Sequence, residues 1–126
     1  MKTTGYENIG VCKSEMLIAD ASVPCSVVHV TMAQVAAETT LKRGTVLEAT
    51  NEDGVCAILK GTAGSTASYV LAEDAVLSTT GTVTAEAYET GKFVRNSLIV
   101  ADGYTMTAGD ERALRDAGIF LENAMI

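Results

Sequence analysis

Tryptophan is absent from this 126-residue chain, and aromatic residues make up only 5% of it. A core must therefore be assembled from Val, Ile, Leu and Ala. Histidine occurs once, at His29, which leaves acid–base and nucleophilic catalysis short of participants. The three cysteines, Cys12, Cys25 and Cys56, are widely spaced with no CxxC pair. At least one thiol stays unpaired within a monomer, which suits assembly in a reducing cytoplasm better than a disulfide-stapled framework. Their dispersal also lacks the paired spacing of a zinc site, so they read as small buried or half-buried apolar side chains. Lys and Arg number 9 against 16 Asp and Glu, for a net charge of −7. The basic residues are scattered, so no patch exists to displace counterions from a phosphate backbone. The opening MKTTGYENIGVCKSEM lacks the continuous apolar core of a signal peptide. The longest apolar runs fall short of the ~20 residues of a spanning helix. Gly91-Lys92 is followed by Phe93 rather than Ser or Thr, so no phosphate loop is present. The acid pairs Glu52-Asp53 and Glu73-Asp74 read as solvated turn residues, because neighbours on a strand point apart. These absences predict no catalytic residue, no metal, no cofactor, and neither nucleic acid nor membrane as partner. The chain does not read as an enzyme.

What is present is a 48% hydrophobic, 20% charged sequence, enough for one domain with a real core. The local period is two. Ser26 to Met32 places Val28, Val30 and Met32 on one face and Val27, His29 and Thr31 on the other. Ala33 to Glu38 is ambiguous between a helical turn and more strand. A turn at Leu41-Lys42-Arg43-Gly44 precedes a strand over Thr45 to Thr50. Asn51-Glu52-Asp53-Gly54 is a hairpin signal, with Val55 to Lys60 returning. Gly61 to Ser68 reads as a loop. Ala67 to Leu77 and Thr82 to Tyr88 are further strands, and Gly91 breaks the pattern before Phe93. Leu98-Ile99-Val100 is a short apolar run ended by Asp102-Gly103. Five to eight short strands with regular turns indicate a barrel or a sandwich.

One helix is predicted near the end. Thr107-Ala108-Gly109-Asp110 resembles a capping box, Glu111 and Arg115 stand at i,i+4, and Gly118 is a natural C-cap. Ala113, Leu114 and Ala117 form its apolar stripe, and Ile119-Phe120-Leu121 follows as a brief buried strand or plug. At the other end, residues 1–20 are stickier than a solvated tail, with Tyr6, Ile9, Val11, Met16, Leu17 and Ile18. They read either as a frayed terminus or as an arm that orders on pairing with a partner's sheet edge.

Four segments in order carry a resemblance. They are Leu41-Lys42-Arg43-Gly44-Thr45-Val46-Leu47, Tyr69-Val70-Leu71-Ala72-Glu73-Asp74, Tyr88-Glu89-Thr90-Gly91-Lys92-Phe93, and Ala113 to Leu121. Over residues 25–122 the chain resembles the head decoration proteins of tailed bacteriophages, the family of the lambda-type capsid-stabilising protein. The resemblance implies a homotrimer on the outside of an expanded icosahedral head, at local three-fold sites, with the major capsid protein as partner and no catalytic residues. It also implies a leading arm that orders on docking. By position in that arm, Thr3, Thr4, Tyr6, Ile9 and Val11 are the candidate capsid contacts. The fold expected is mainly β (α+β): a small, tulip-like β-barrel of short strands over residues 21–126, with one short C-terminal helix and an extended arm over 1–20. The alternative is a surface fibre or adhesin-type binding module.

Overall fold

A computed structural model describes residues 17–18 and 24–122. The alternation in the first described strand carries straight into the fold. In β1 (Ser26–Met32), Val30 and Met32 are buried and Val28 half-buried, while Val27, His29 and Thr31 face solvent. Two short strands follow as β2 (Thr39–Leu41) and β3 (Val46–Thr50), and the latter turns back through Gly54 into β4 (Cys56–Ile58). Next come β5 (Ser65–Leu71), β6 (Ala75–Leu77) and the twelve-residue β7 (Val83–Val94). A single 3-10 turn (Arg95–Ser97) and an irregular stretch lead to the helix α1 (Ala108–Ala117), and β8 (Ile119–Glu122) ends the described chain.

Five strands close into a barrel in the order β1, β4, β3, β5, β7 and back to β1. Every seam is antiparallel except β1 against β4, which is parallel and rests on the pair Met32↔Cys56. Closure removes the open edges that a flat sheet of this size would expose. The barrel interior is filled by Val30, Met32, Leu47, Cys56, Leu71 and Ala87 among others. β2 and β6 form a separate two-stranded antiparallel ribbon, and their Leu41 and Leu77 join the same core.

A second core lies outside the barrel wall, between β3 and β5 on one side and α1 with β8 on the other. Val46, Val70, Phe93, Leu114 and Ile119 are fully buried there. Burying a side chain of this size contributes about 1.5–3 kcal/mol, so the helix is held by its single buried Leu114 and by what packs around it. Its N-terminus is closed by a capping box. The Thr107 hydroxyl accepts from the Asp110 N–H at 3.1 Å, and the Asp110 carboxylate accepts from the Thr107 N–H at 3.0 Å. Gly118 ends the helix in the left-handed region at φ 106°, as its place after the apolar stripe predicts.

Three local expectations are corrected. The stretch from Ala67 to Leu77 is two strands, because Glu73-Asp74 turns the chain and Asp74 accepts the Arg43 N–H at 2.8 Å. Gly91 does not break a strand: β7 runs through it at φ 148°, since its missing Cβ would lie 2.9 Å from the Phe93 ring and 3.1 Å from the Cys25 Sγ. Phe120 is not buried with its neighbours but 36% exposed, as the alternation of β8 requires once Ile119 points inward.

Candidate functional site

The four segments that carry the family resemblance meet around the outer half of β7. Arg43, in the turn after β2, lays its guanidinium 5.9 Å from the centre of the Tyr88 ring and donates to the Tyr88 hydroxyl at 3.2 Å. The turn between β5 and β6 reaches the same place, where Asp74 accepts the Arg43 N–H and lies 3.7 Å from Lys42. Tyr88 packs against Phe93 with ring centres 5.3 Å apart. β8 pairs in parallel with Gly91 to Val94, and Gly91 donates its N–H to the Gly118 carbonyl at 3.1 Å. A turn, a strand end, a long strand and a helix end thus form one rigid pole.

Onto this pole the chain delivers its leading segment. Leu17 is 3% exposed and belongs to the second core, beside Val46, Phe93 and Leu114. Its carbonyl accepts the Val94 N–H at 2.6 Å, and Ile18 forms an antiparallel bridge with Phe93. Here β7 is paired on both sides, with β8 along one edge and Ile18 against the other. A backbone bond and a buried side chain together fix the chain at that point. Thr3, Thr4, Tyr6, Ile9, Val11 and Cys12 lie outside the described residues. Sequence reasoning gave Leu17 no special place among its apolar neighbours, because nothing local tells a core anchor from another sticky residue.

The side chains that could carry chemistry are spoken for or kept apart. Cys56 is fully buried and burial pushes its thiol up to about 11, the opposite of what a nucleophile needs. Cys25 is exposed at the rim before β1, and partial burial raises its thiol against the lowering influence of Arg43. His29 lies 3.4 Å from Glu86, its cross-strand partner in the β1–β7 register, with the His29 side chain largely in solvent and that of Glu86 partly so. Such an exposed pair contributes little. Among the described residues no group of three or more His, Cys, Asp or Glu side chains converges on a metal position. No described helix is long and apolar enough to cross a membrane.

Several acids serve the backbone instead. Glu48 is 3% exposed, and one of its oxygens accepts the N–H groups of Lys60, Gly61 and Thr62 at 3.1, 3.1 and 3.2 Å. The glycine-rich loop is therefore pinned by a carboxylate of the barrel wall. Asp53 accepts from the Thr50 hydroxyl and from the Val55 N–H, and these bonds, the hydroxyl first, hold its carboxyl below the usual range. At Asp110 burial works to raise the carboxyl, but the Thr107 N–H and the Tyr104 hydroxyl together outweigh it and leave it lowered.

Two surface features went unread in the sequence. Val76 on β6 is 55% exposed, in a groove shared with His29, Glu73, Asp74 and Glu86. Phe120 stands beside Arg95 and Arg115, where Arg95 grips Glu111 through two hydrogen bonds of 3.2 and 2.9 Å. The alternation of β6 and β8 was the available signal, masked by the shortness of both strands.

No curated protein sequence matches the chain. The family model described as bacteriophage lambda head decoration protein D matches residues 7–119. That span takes in the barrel, the helix, the Leu17–Ile18 root, three of the converging segments whole and the fourth as far as Ile119. By that match, the chain belongs to the bacteriophage lambda head decoration protein family.

Proposed function

We propose that this phage head decoration protein works as a homotrimer on the outer surface of the expanded head, at local three-fold sites, where it clamps neighbouring major capsid subunits against the pressure of the packaged genome. The observation that carries the reading is the family match over residues 7–119. The placement of Leu17 and Ile18 supports the arm as the gripping element, because residues ahead of a fixed root start from a defined position on a rigid body.

The energetics favour three grips over one. A single arm loses chain entropy when it orders, so its own contact is modest. On a trimer the second and third dockings are intramolecular, and effective concentration raises the total without new contacts. Preference for the expanded head follows if the docking surface is complete only after maturation, since a ligand favours the state that it binds better. A net charge of −7 suits an outer surface that neither binds DNA nor self-aggregates. The role is mechanical and asks for no catalytic group.

Deleting residues 2–15 and measuring retention on expanded, empty heads tests the arm. Loss of retention with the body still folded is the expected result, and undiminished retention would remove the arm from the mechanism. Affinity for a host surface or glycan, with none for the shell, would instead identify an adhesin-type module.

A further inference from the structure

Two of the exposed surfaces described above are opposite in charge, and each carries an exposed apolar residue. On the first, α1 and β8 present Arg112, Arg115 and Phe120, with Arg95 of the 3-10 turn beside them. Arg112 and Arg115 stand three residues apart and therefore share a helix face. Glu111 is held by the Arg95 fork, and Asp116 is the one exposed acid flanking the arginines on that helix. On the second, Glu73, Asp74 and Glu86 surround the groove at Val76, with Val27 (47% exposed) outward on β1 next to His29 in the same row. Lys42 offsets Asp74 there and His29 faces Glu86, which leaves carboxylates in excess.

We propose that these two faces meet between adjacent copies of this chain, the arginines and Phe120 of one protomer against the carboxylates and Val76 of the next, so that the trimer closes head to tail. The proposal rests on the homotrimer reading above and says which surfaces build it. A three-fold ring requires a heterologous contact, in which each protomer offers two different and complementary patches. Aromatic and arginine side chains are the types enriched where interaction surfaces are buried. In a chain of net charge −7, most of the surface repels a second copy. The arginine face is a surface that a carboxylate-rich face of a like chain can approach at a gain.

The test uses the full-length protein, with mass read by light scattering over a concentration series. Wild type is expected to be trimeric, dissociating more readily as salt rises. Arg112→Glu with Arg115→Glu, or Glu73→Arg with Glu86→Arg, should each raise the dissociation midpoint by roughly tenfold or more. Combining all four changes should restore trimers in part, a recovery that general damage to the fold cannot produce. All six side chains involved, Val76 and Phe120 included, are at least partly exposed, so melting curves should stay close to wild type. A trimeric wild type whose reversed variants dissociate no more easily overturns this interface and leaves the homotrimer intact. Failure of the fourfold variant to regain mass also overturns it. A wild type that stays monomeric at every concentration overturns this interface as enough to hold three copies together, and one that is also monomeric on heads removes the homotrimer with it.

Discussion

Cys56 shows how a barrel wall changes the chemistry of one side chain. It is fully buried at the only parallel seam of the barrel, opposite Met32, and burial pushes its thiol up to about 11 from 9.0. The folded state therefore favours the neutral thiol. Stability from this group is whole below the unfolded value of 9.0 and is lost as pH rises through about 11. The loss amounts to about 2–3 kcal/mol. Denaturant midpoints measured from pH 8 to 11 should fall in wild type and fall less steeply in Cys56→Ala, although that variant starts lower for want of packing. Tyr104, raised chiefly by its hydrogen bond to Asp110, and Cys25, raised by partial burial, add their own alkaline losses in both proteins and contribute to the slope that remains. Equal slopes would show that the thiol ionises freely. The sequence marked Cys56 as a small apolar residue, and the fold agrees. Glu48 could not be foreseen in the same way. An acid on a strand looks like a solvent-facing position, and only the loop that folds over it reveals three N–H groups in need of an acceptor.

At the scale of elements, β7 joins the two cores, and it does so through a residue that sequence reasoning took for a breaker. Its first half pairs with β1 and β5 to close the barrel, and its second half pairs with β8 and receives Ile18. Gly91 sits at the change of partners. Gly91→Ala would force a Cβ into the Phe93 ring and toward the Cys25 Sγ while holding a positive φ. A cost of about 1–3 kcal/mol is expected from overpacking and strain. Urea unfolding should register it, and hydrogen exchange should show the loss concentrated in β7, β8 and the root at Leu17. A uniform loss across the barrel would mean that the two halves of β7 do not act separately. Alternation and capping made β1 and α1 legible in the sequence, because both signals are local. Pairings across the chain were not. The parallel β7–β8 ladder and the β1–β4 seam join segments distant in sequence, and a register leaves no local trace. The split between β5 and β6 depended on Asp74 reaching the Arg43 N–H, a contact 31 residues away in the sequence.

For the molecule as a whole, the proposed grip on the head depends on how many roots stand on one frame. The chain is fixed at Leu17 and Ile18, and the frame beneath that root is the pole where four segments interlock. A variant that stays folded but cannot trimerise, such as Arg112→Glu with Arg115→Glu, keeps its arm and its root. It should bind expanded heads through one arm at a time. Losing intramolecular docking then lowers apparent affinity by roughly 10²–10⁴-fold, mainly through faster release. Pelleting heads with increasing protein and following dilution-induced release would measure both. The fourfold charge-swapped variant should recover slow release along with its mass, since the arm is untouched throughout. Monomers that hold on as tenaciously as trimers would show that each arm suffices alone, and strength of attachment would then be no argument for the proposed three-fold arrangement.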